Sequence, residues 1–271
     1  GGNGGNGGNG EGGNGTGDGG NGGNGGNGEG GNGTGDGGNG GQSEAERLAQ
    51  KGEDGTALGK GASVEAATAL IESLDDETEP AGTCYGLLQA KAKKVTAKSV
   101  KFVWKKVDGA AKYIVYAAKC GKGNKSTKVA ELTGTSFTLK KLEDKKVKKG
   151  TYYKALVIAV DKDSNVLTTS KVIHAATTGG KFGNTKSINT NAKKNKVALK
   201  KGKTFKLKAK LIPQKKGLKI QNHRKVAYES SDTAVATVDA KGKIKGVGPG
   251  SCEVYVYVQN GISKIIKVTV K

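Results

Sequence analysis

From Tyr228 to Val270 the chain reads YESSDTAVATVDAKGKIKGVGPGSCEVYVYVQNGISKIIKVTV, a run that leaves little freedom in how it can fold. Short stretches of alternating apolar and polar residues are separated by turn chemistry at Asp239 to Gly242 (DAKG), Val247 to Gly250 (VGPG) and Asn260-Gly261. Successive side chains of a strand point to opposite faces, so Cys252, Val254, Val256 and Val258 share one face and Ser251, Glu253, Tyr255 and Tyr257 the other. Asn-Gly favours positive φ, which predicts a two-residue type I′ hairpin between the last two strands. The whole run predicts the back half of a small β-sandwich.

The pattern extends upstream. Lys200-Lys201-Gly202 is a turn, and from Thr204 to Leu211 the residues Phe205, Leu207, Ala209 and Leu211 point one way while Lys206, Lys208 and Lys210 point the other, which predicts one strand closed by Leu211-Ile212-Pro213. The SSDTAVATVDAKGKIKGVGPGS run with its closing VTV, preceded by an aromatic at Tyr228, resembles the bacterial immunoglobulin-like domain of group 2. That resemblance implies a sandwich without catalytic residues, of a kind found as a spacer or adhesive module on bacterial surface and secreted proteins.

A second foldable unit precedes it. Val100, Phe102 and Trp104 alternate with Lys101, Val103 and Lys105; Tyr113, Val115 and Ala117 follow the Asp108-Gly109 turn; and Gly150 to Tyr153 leads into Ala155, Val157 and Ala159. The segments VKFVWKKVDGAAKYIVY and KKGTYYKALVIAVD resemble the second, third and sixth strands of a fibronectin type III domain. The resemblance implies that Trp104 sits in the core and that Tyr153 makes a corner hydrogen bond. With GKGASVEAATALIESL ahead of them, the two units resemble the tail of surface proteins of Gram-positive anaerobes. The fold class is therefore all-β, two tandem immunoglobulin-like sandwiches with a short helical segment and a disordered repeat in front.

Charge and glycine divide the chain. Of 47 glycines, 26 lie in residues 1–41, two copies of GGNGGNGGNGEGGNGTGD followed by GGNGG. With no apolar side chain to bury, this repeat is expected to be a flexible linker with an r.m.s. span of about 35 Å. Its GGNGTGDGG piece resembles the calcium nonapeptide of the parallel β-roll, but Asp18 and Asp36 fall one place late and the apolar residue is missing. Residues 42–82 are acidic and predicted to be partly helical, with capping-box spacing at Ser43 to Glu46. A helix is predicted from about Ser63 to Leu74, whose Val64, Ala67, Leu70, Ile71 and Leu74 form one stripe to dock on the neighbouring sandwich. The sandwiches are placed at 83–178 and 179–271. Residues 84–271 carry 43 basic and 10 acidic groups.

Catalytic chemistry has little to work with. The two histidines, His174 and His223, belong to different units, and neither has a nucleophile or carboxylate at a recognisable spacing. His174 reads as an ordinary strand histidine. Cys84, Cys120 and Cys252 do not have zinc-motif spacing; a Cys84–Cys120 disulfide is not expected, and Cys252 reads as a small buried residue. No enzyme, metal or cofactor is predicted. Asp161, Asp163 and Asn165 open like a calcium loop, yet Val166 stands where a glycine is needed; they read as a solvated hairpin loop and a candidate ligand contact.

The lysine excess is the feature that points to a partner. Lys206, Lys208 and Lys210 discourage edge-to-edge pairing, and the summed field attracts polyanions. Of 46 basic residues only Arg47 and Arg224 are arginine, which argues against sequence-specific nucleic-acid binding. No apolar run is long enough to enter a membrane as a helix, and the chain shows neither a signal peptide nor an LPxTG-type sorting motif, so it is expected to be the C-terminal part of a longer secreted protein. The expected setting is extracellular or at the cell wall, with monomeric domains on anionic wall polymers such as teichoic acids. The alternative is an accessory module of a secreted enzyme that binds carbohydrate or a host receptor, with Tyr255 and Tyr257 as an aromatic platform.

Overall fold

Helix α1, Val64–Ser73, forms where the apolar stripe predicted it. The Ser63 hydroxyl accepts from the Ala66 N–H at 3.1 Å, capping the helix, and Glu65 lies in its first turn. The computed structural model describes residues 57–74 and 79–271, so the Gly/Asn repeat, the Ser43 capping box and the acids from Asp75 to Glu77 lie outside the described residues. Ala67 and Ile71 are buried against Ile114, Tyr116, Leu156 and Ile158, one face of the first sandwich.

That sandwich has a sheet formed by β1 (Lys91–Val95), β2 (Val100–Val103) and, from further along the chain, Ser136–Leu139. The strands between and beyond are β3 (Lys112–Lys119), β4 (Thr127–Leu132), β5 (Ser136–Leu139), a two-residue hairpin β6 (Lys141–Leu142) and β7 (Lys145–Lys146), then β8 (Tyr152–Val160), β9 (Val166–Thr169) and β10 (Ile173–Ala176). The first sheet runs β1-β2-β5; the second runs β9-β8-β3-β4, with β10 also on β8. Strand β8 is buried along all nine residues, because one face meets the core and the other meets α1 and the next domain. β9 and β10 pair with successive halves of the same β8 edge. Between them Ser170 donates its N–H to the Val157 carbonyl and accepts the Val157 N–H on its hydroxyl, both bonds within 2.9 Å.

Trp104 is buried in the core beside Tyr113, and the Tyr153 hydroxyl accepts from the Lys148 N–H at 2.8 Å, the corner bond that the fibronectin type III resemblance implied. Setting aside the β6–β7 hairpin, β2, β3 and β8 are the second, third and sixth strands.

The second sandwich comprises β11 (Thr185–Thr190), β12 (Lys196–Leu199), β13 (Thr204–Lys206), β14 (Ala209–Pro213), β15 (Ala227–Ser230), β16 (Ala236–Val238), β17 (Lys243–Gly246), β18 (Gly250–Tyr257) and β19 (Ser263–Val270). One sheet is ordered β12-β19-β18-β15, with β12 parallel to β19; facing it are β13-β17-β16 and the pair β11-β14. Cys252, Val254, Val256 and Val258 enter the core with Leu207, Ile244, Ile266 and Val268, the face that period-two alternation assigned them.

Two local expectations are corrected. The run from Thr204 to Leu211 is not one strand: β13 pairs with β17 and β14 with β11, so the chain changes sheets at Leu207-Lys208 while its alternation continues. Asn191 stabilises the crossing, its carbonyl oxygen accepting from the Lys208 N–H at 2.8 Å and its amide donating to the Lys206 carbonyl at 3.0 Å. Nor does Asn260-Gly261 form a two-residue turn. The Val258 N–H donates to the Ile262 carbonyl and the Gly261 N–H to the Val258 carbonyl, so three residues, Gln259 to Gly261, make the loop. Gly261 alone has positive φ, at 79°, the arrangement of a type I turn with a glycine bulge.

Candidate functional site

The two sandwiches meet along a seam within one compact unit. The segment between them is short and is fastened by Asn184, which is buried and exchanges two 2.8 Å hydrogen bonds with the backbone of Ala176 at the end of β10. The Gln259–Gly261 loop reaches the first sandwich directly: Ala92 donates its N–H to the Asn260 carbonyl at 3.0 Å and His174 donates to the Gln259 carbonyl at 2.7 Å. A Cβ on Gly261 would stand 2.1 Å from the Ala90 carbonyl oxygen, so only glycine permits this approach.

Aromatic and charged groups fill the rest of the seam. Tyr85, ahead of β1, stacks on Tyr257 and tilts against Tyr255. The Glu229 carboxylate on β15 accepts from the Gly86 N–H at 2.6 Å and the Tyr85 N–H at 3.2 Å. Arg224 bonds Glu79 through Nη1 and donates from Nη2 to the Val258 carbonyl, with its guanidinium 5.6 Å from the Tyr257 ring centre. Burial, and then the Glu229 charge, pushes the Cys84 thiol up to about 12. Burial likewise raises Tyr85, and takes Tyr255 and Tyr152 up to about 12.

At the same seam Cys120, His174 and His223 converge. Cys120 directly follows β3, His174 is in β10, and His223 comes from the second domain, in the segment between β14 and β15. Their ligand atoms all lie within 4.8 Å of one another, with the Cys120 Sγ 3.5 Å from the His174 Nδ1. The imidazole planes are 2° from parallel with centroids 5.2 Å apart, and the Tyr152 ring lies 4.5 Å from the centre of His223. Gln259 holds both histidines by their backbones: its carbonyl accepts from His174 and its Oε1 from the His223 N–H at 2.8 Å. The sequence offered no spacing signal for this cluster; Cys120 and His174 meet within the first sandwich, and His223 joins them because the domains meet.

The residues singled out from the sequence lie in three separate places. Tyr255 and Tyr257 are buried beneath Tyr85, so the aromatic platform predicted for this face is covered by the neighbouring domain. Asp161 accepts the N–H groups of Asp163 and Asn165 on Oδ1 at 2.9 and 2.8 Å; these backbone bonds lower its pKa, and its carboxylate closes the hairpin loop. The Asp163 carboxylate pairs with Lys162. Lys206, Lys208 and Lys210 are exposed. No two of the three cysteines form a disulfide, and Cys252 is buried in the core as expected. No helix among the described residues is long and apolar enough to cross a membrane.

Residues 186–269 match the family described as bacterial Ig-like domain (group 2). Solved structures similar to part of the chain include the FN5 domain of Drosophila Lar, 22% identical with a TM-score of 0.27, which covers 34% of this chain and 92% of that one. A Fn3-like protein from Clostridium thermocellum is 25% identical, with a TM-score of 0.25 and coverage of 32% and 83%. Pectate lyase PelI from Erwinia chrysanthemi is 12% identical, with a TM-score of 0.27 and coverage of 43% and 36%. No curated protein matches the chain.

Proposed function

We propose that this chain, whose C-terminal sandwich is a bacterial Ig-like domain of group 2, is a non-catalytic surface module of a secreted bacterial protein that associates with anionic wall polymers. The observation that carries this reading is the registration of exposed lysines directly opposite one another. Lys206 faces Lys243 across β13 and β17, Lys94 faces Lys101 across β1 and β2, and Lys141 faces Lys146 across β6 and β7. Like charges at opposed positions destabilise a sheet. Asp239, whose pKa is lowered first by a backbone bond from Lys243 and further by the charges of Lys206 and Lys243, offsets part of the first pair. A polyanion laid across these faces relieves the repulsion and gains from the field of the whole surface.

The reading as a carbohydrate platform loses support because Tyr85 covers Tyr255 and Tyr257. The decisive experiment is a pull-down of the chain on Gram-positive cell walls with and without their teichoic acids across a salt series. Binding that requires the polymer and collapses by moderate salt is the expected result. Equal binding to stripped walls, or none to either, refutes the proposal and leaves a spacer or a receptor module.

A further inference from the structure

We propose that Cys120, His174 and His223 form a binding site for a late first-row transition ion, with zinc as the physiological candidate, and that the bound ion clamps the two sandwiches together. Imidazole nitrogen with thiolate sulfur is a donor set that selects zinc, cobalt, nickel or copper over calcium or magnesium. A tetrahedral zinc with Zn–S near 2.3 Å and Zn–N near 2.0–2.1 Å places sulfur and nitrogen about 3.6 Å apart. The Cys120 Sγ and His174 Nδ1 are already 3.5 Å apart. The third ligand atom lies within 4.8 Å of both, and because the two imidazoles are stacked, one ring must turn to aim its nitrogen at a common centre.

The backbone of each ligand is held from outside its own strand. Cys120 donates its N–H to the Tyr152 carbonyl at 3.0 Å, and Gln259 accepts from both histidines. His174 is 1% exposed, whereas Cys120 and His223 are half-buried, and a water would supply the fourth ligand. Binding converts Cys–SH and M²⁺ into Cys–S–M⁺ and a released proton. Two ligands belong to the first sandwich and one to the second, so affinity for the ion and docking of the domains are linked: an ion that binds only the docked state stabilises it.

The test is a titration of the reduced, metal-free chain with Co²⁺, followed by displacement with Zn²⁺. The expected signature is a thiolate-to-cobalt charge-transfer band with the visible bands of a tetrahedral ion, both lost when Zn²⁺ is added. Cys120→Ser abolishes the charge-transfer band. His223→Gln weakens binding by more than the roughly 10- to 100-fold that a supporting residue costs. Both positions are half-buried, and circular dichroism of each variant verifies its fold before titration. Zinc should also raise the unfolding temperature of the parent chain and leave both variants unmoved. Absence of the charge-transfer band, or affinities in both variants equal to the parent's, overturns the proposal; the second result would place the ion on adventitious surface groups.

Discussion

The ring of Tyr85 lies flat on that of Tyr257, centroids 4.3 Å apart and planes 8° from parallel, although the two residues belong to different sandwiches. Such a pair contributes about 0.5–1.5 kcal/mol beyond the area it buries. Tyr85→Ala is therefore expected to cost about 3 kcal/mol, within the range of buried aromatic truncations. It also uncovers Tyr255 and Tyr257. Denaturant unfolding measures the first effect, and binding of a hydrophobic dye to the folded variant reads the second; an unchanged midpoint would mean that the seam contributes nothing to stability.

Gly261→Ala sets a methyl group 2.1 Å from the Ala90 carbonyl oxygen and forces an L-residue to a φ of 79°. The conformational penalty alone is about 1 kcal/mol and falls on the second sandwich. The steric penalty falls on the seam. Calorimetry should resolve two transitions in the variant where the parent shows one, and small-angle scattering should report a larger radius of gyration.

Tyr153→Phe removes the hydroxyl that accepts from the Lys148 N–H and leaves the packing of the ring in place. The expected cost is about 1 kcal/mol. It should appear as a lowered midpoint of the chain's single unfolding transition.

Alkaline pH should weaken the seam. Cys84 is raised from 9.0 to about 12, and Tyr255 from 10.0 to about 12, so the folded state holds protons that the unfolded chain releases earlier. Their contribution is whole below pH 9 and is lost as pH rises through the unfolded values toward 12. Unfolding temperature followed from neutral pH to pH 12 should fall over that window, with tyrosinate absorbance rising in step. Cys84 should resist alkylation until the seam opens, since the thiolate is the reactive form.

Much of each sandwich could be read from alternation and turns. The inward face of β18, the core position of Trp104 and the corner bond of Tyr153 all follow from local pattern or from the family resemblance it carries. What covers the other face of β18 could not be read, because a period of two says which residues share a face and is silent about what lies against it. The same limit hid Cys120, His174 and His223, each unremarkable within its own segment: the fold of the first sandwich brings the first two together and docking of the domains adds the third. The sheet change at Leu207-Lys208 was masked because alternation survives it. At Asn260-Gly261 the dipeptide signalled a hairpin correctly, but the loop took the three-residue form in which glycine alone needs positive φ.

The parallel pairing of β12 with β19, Lys196 against Lys267 through Leu199 against Val270, determines how the second sandwich carries load. Tension drawing the start of β12 and the end of β19 apart runs along both strands in opposite senses. The hydrogen bonds of that ladder are then strained together in shear, whereas a hairpin pulled from its open end loses them one by one. A sandwich loaded in this way yields abruptly at high force instead of peeling.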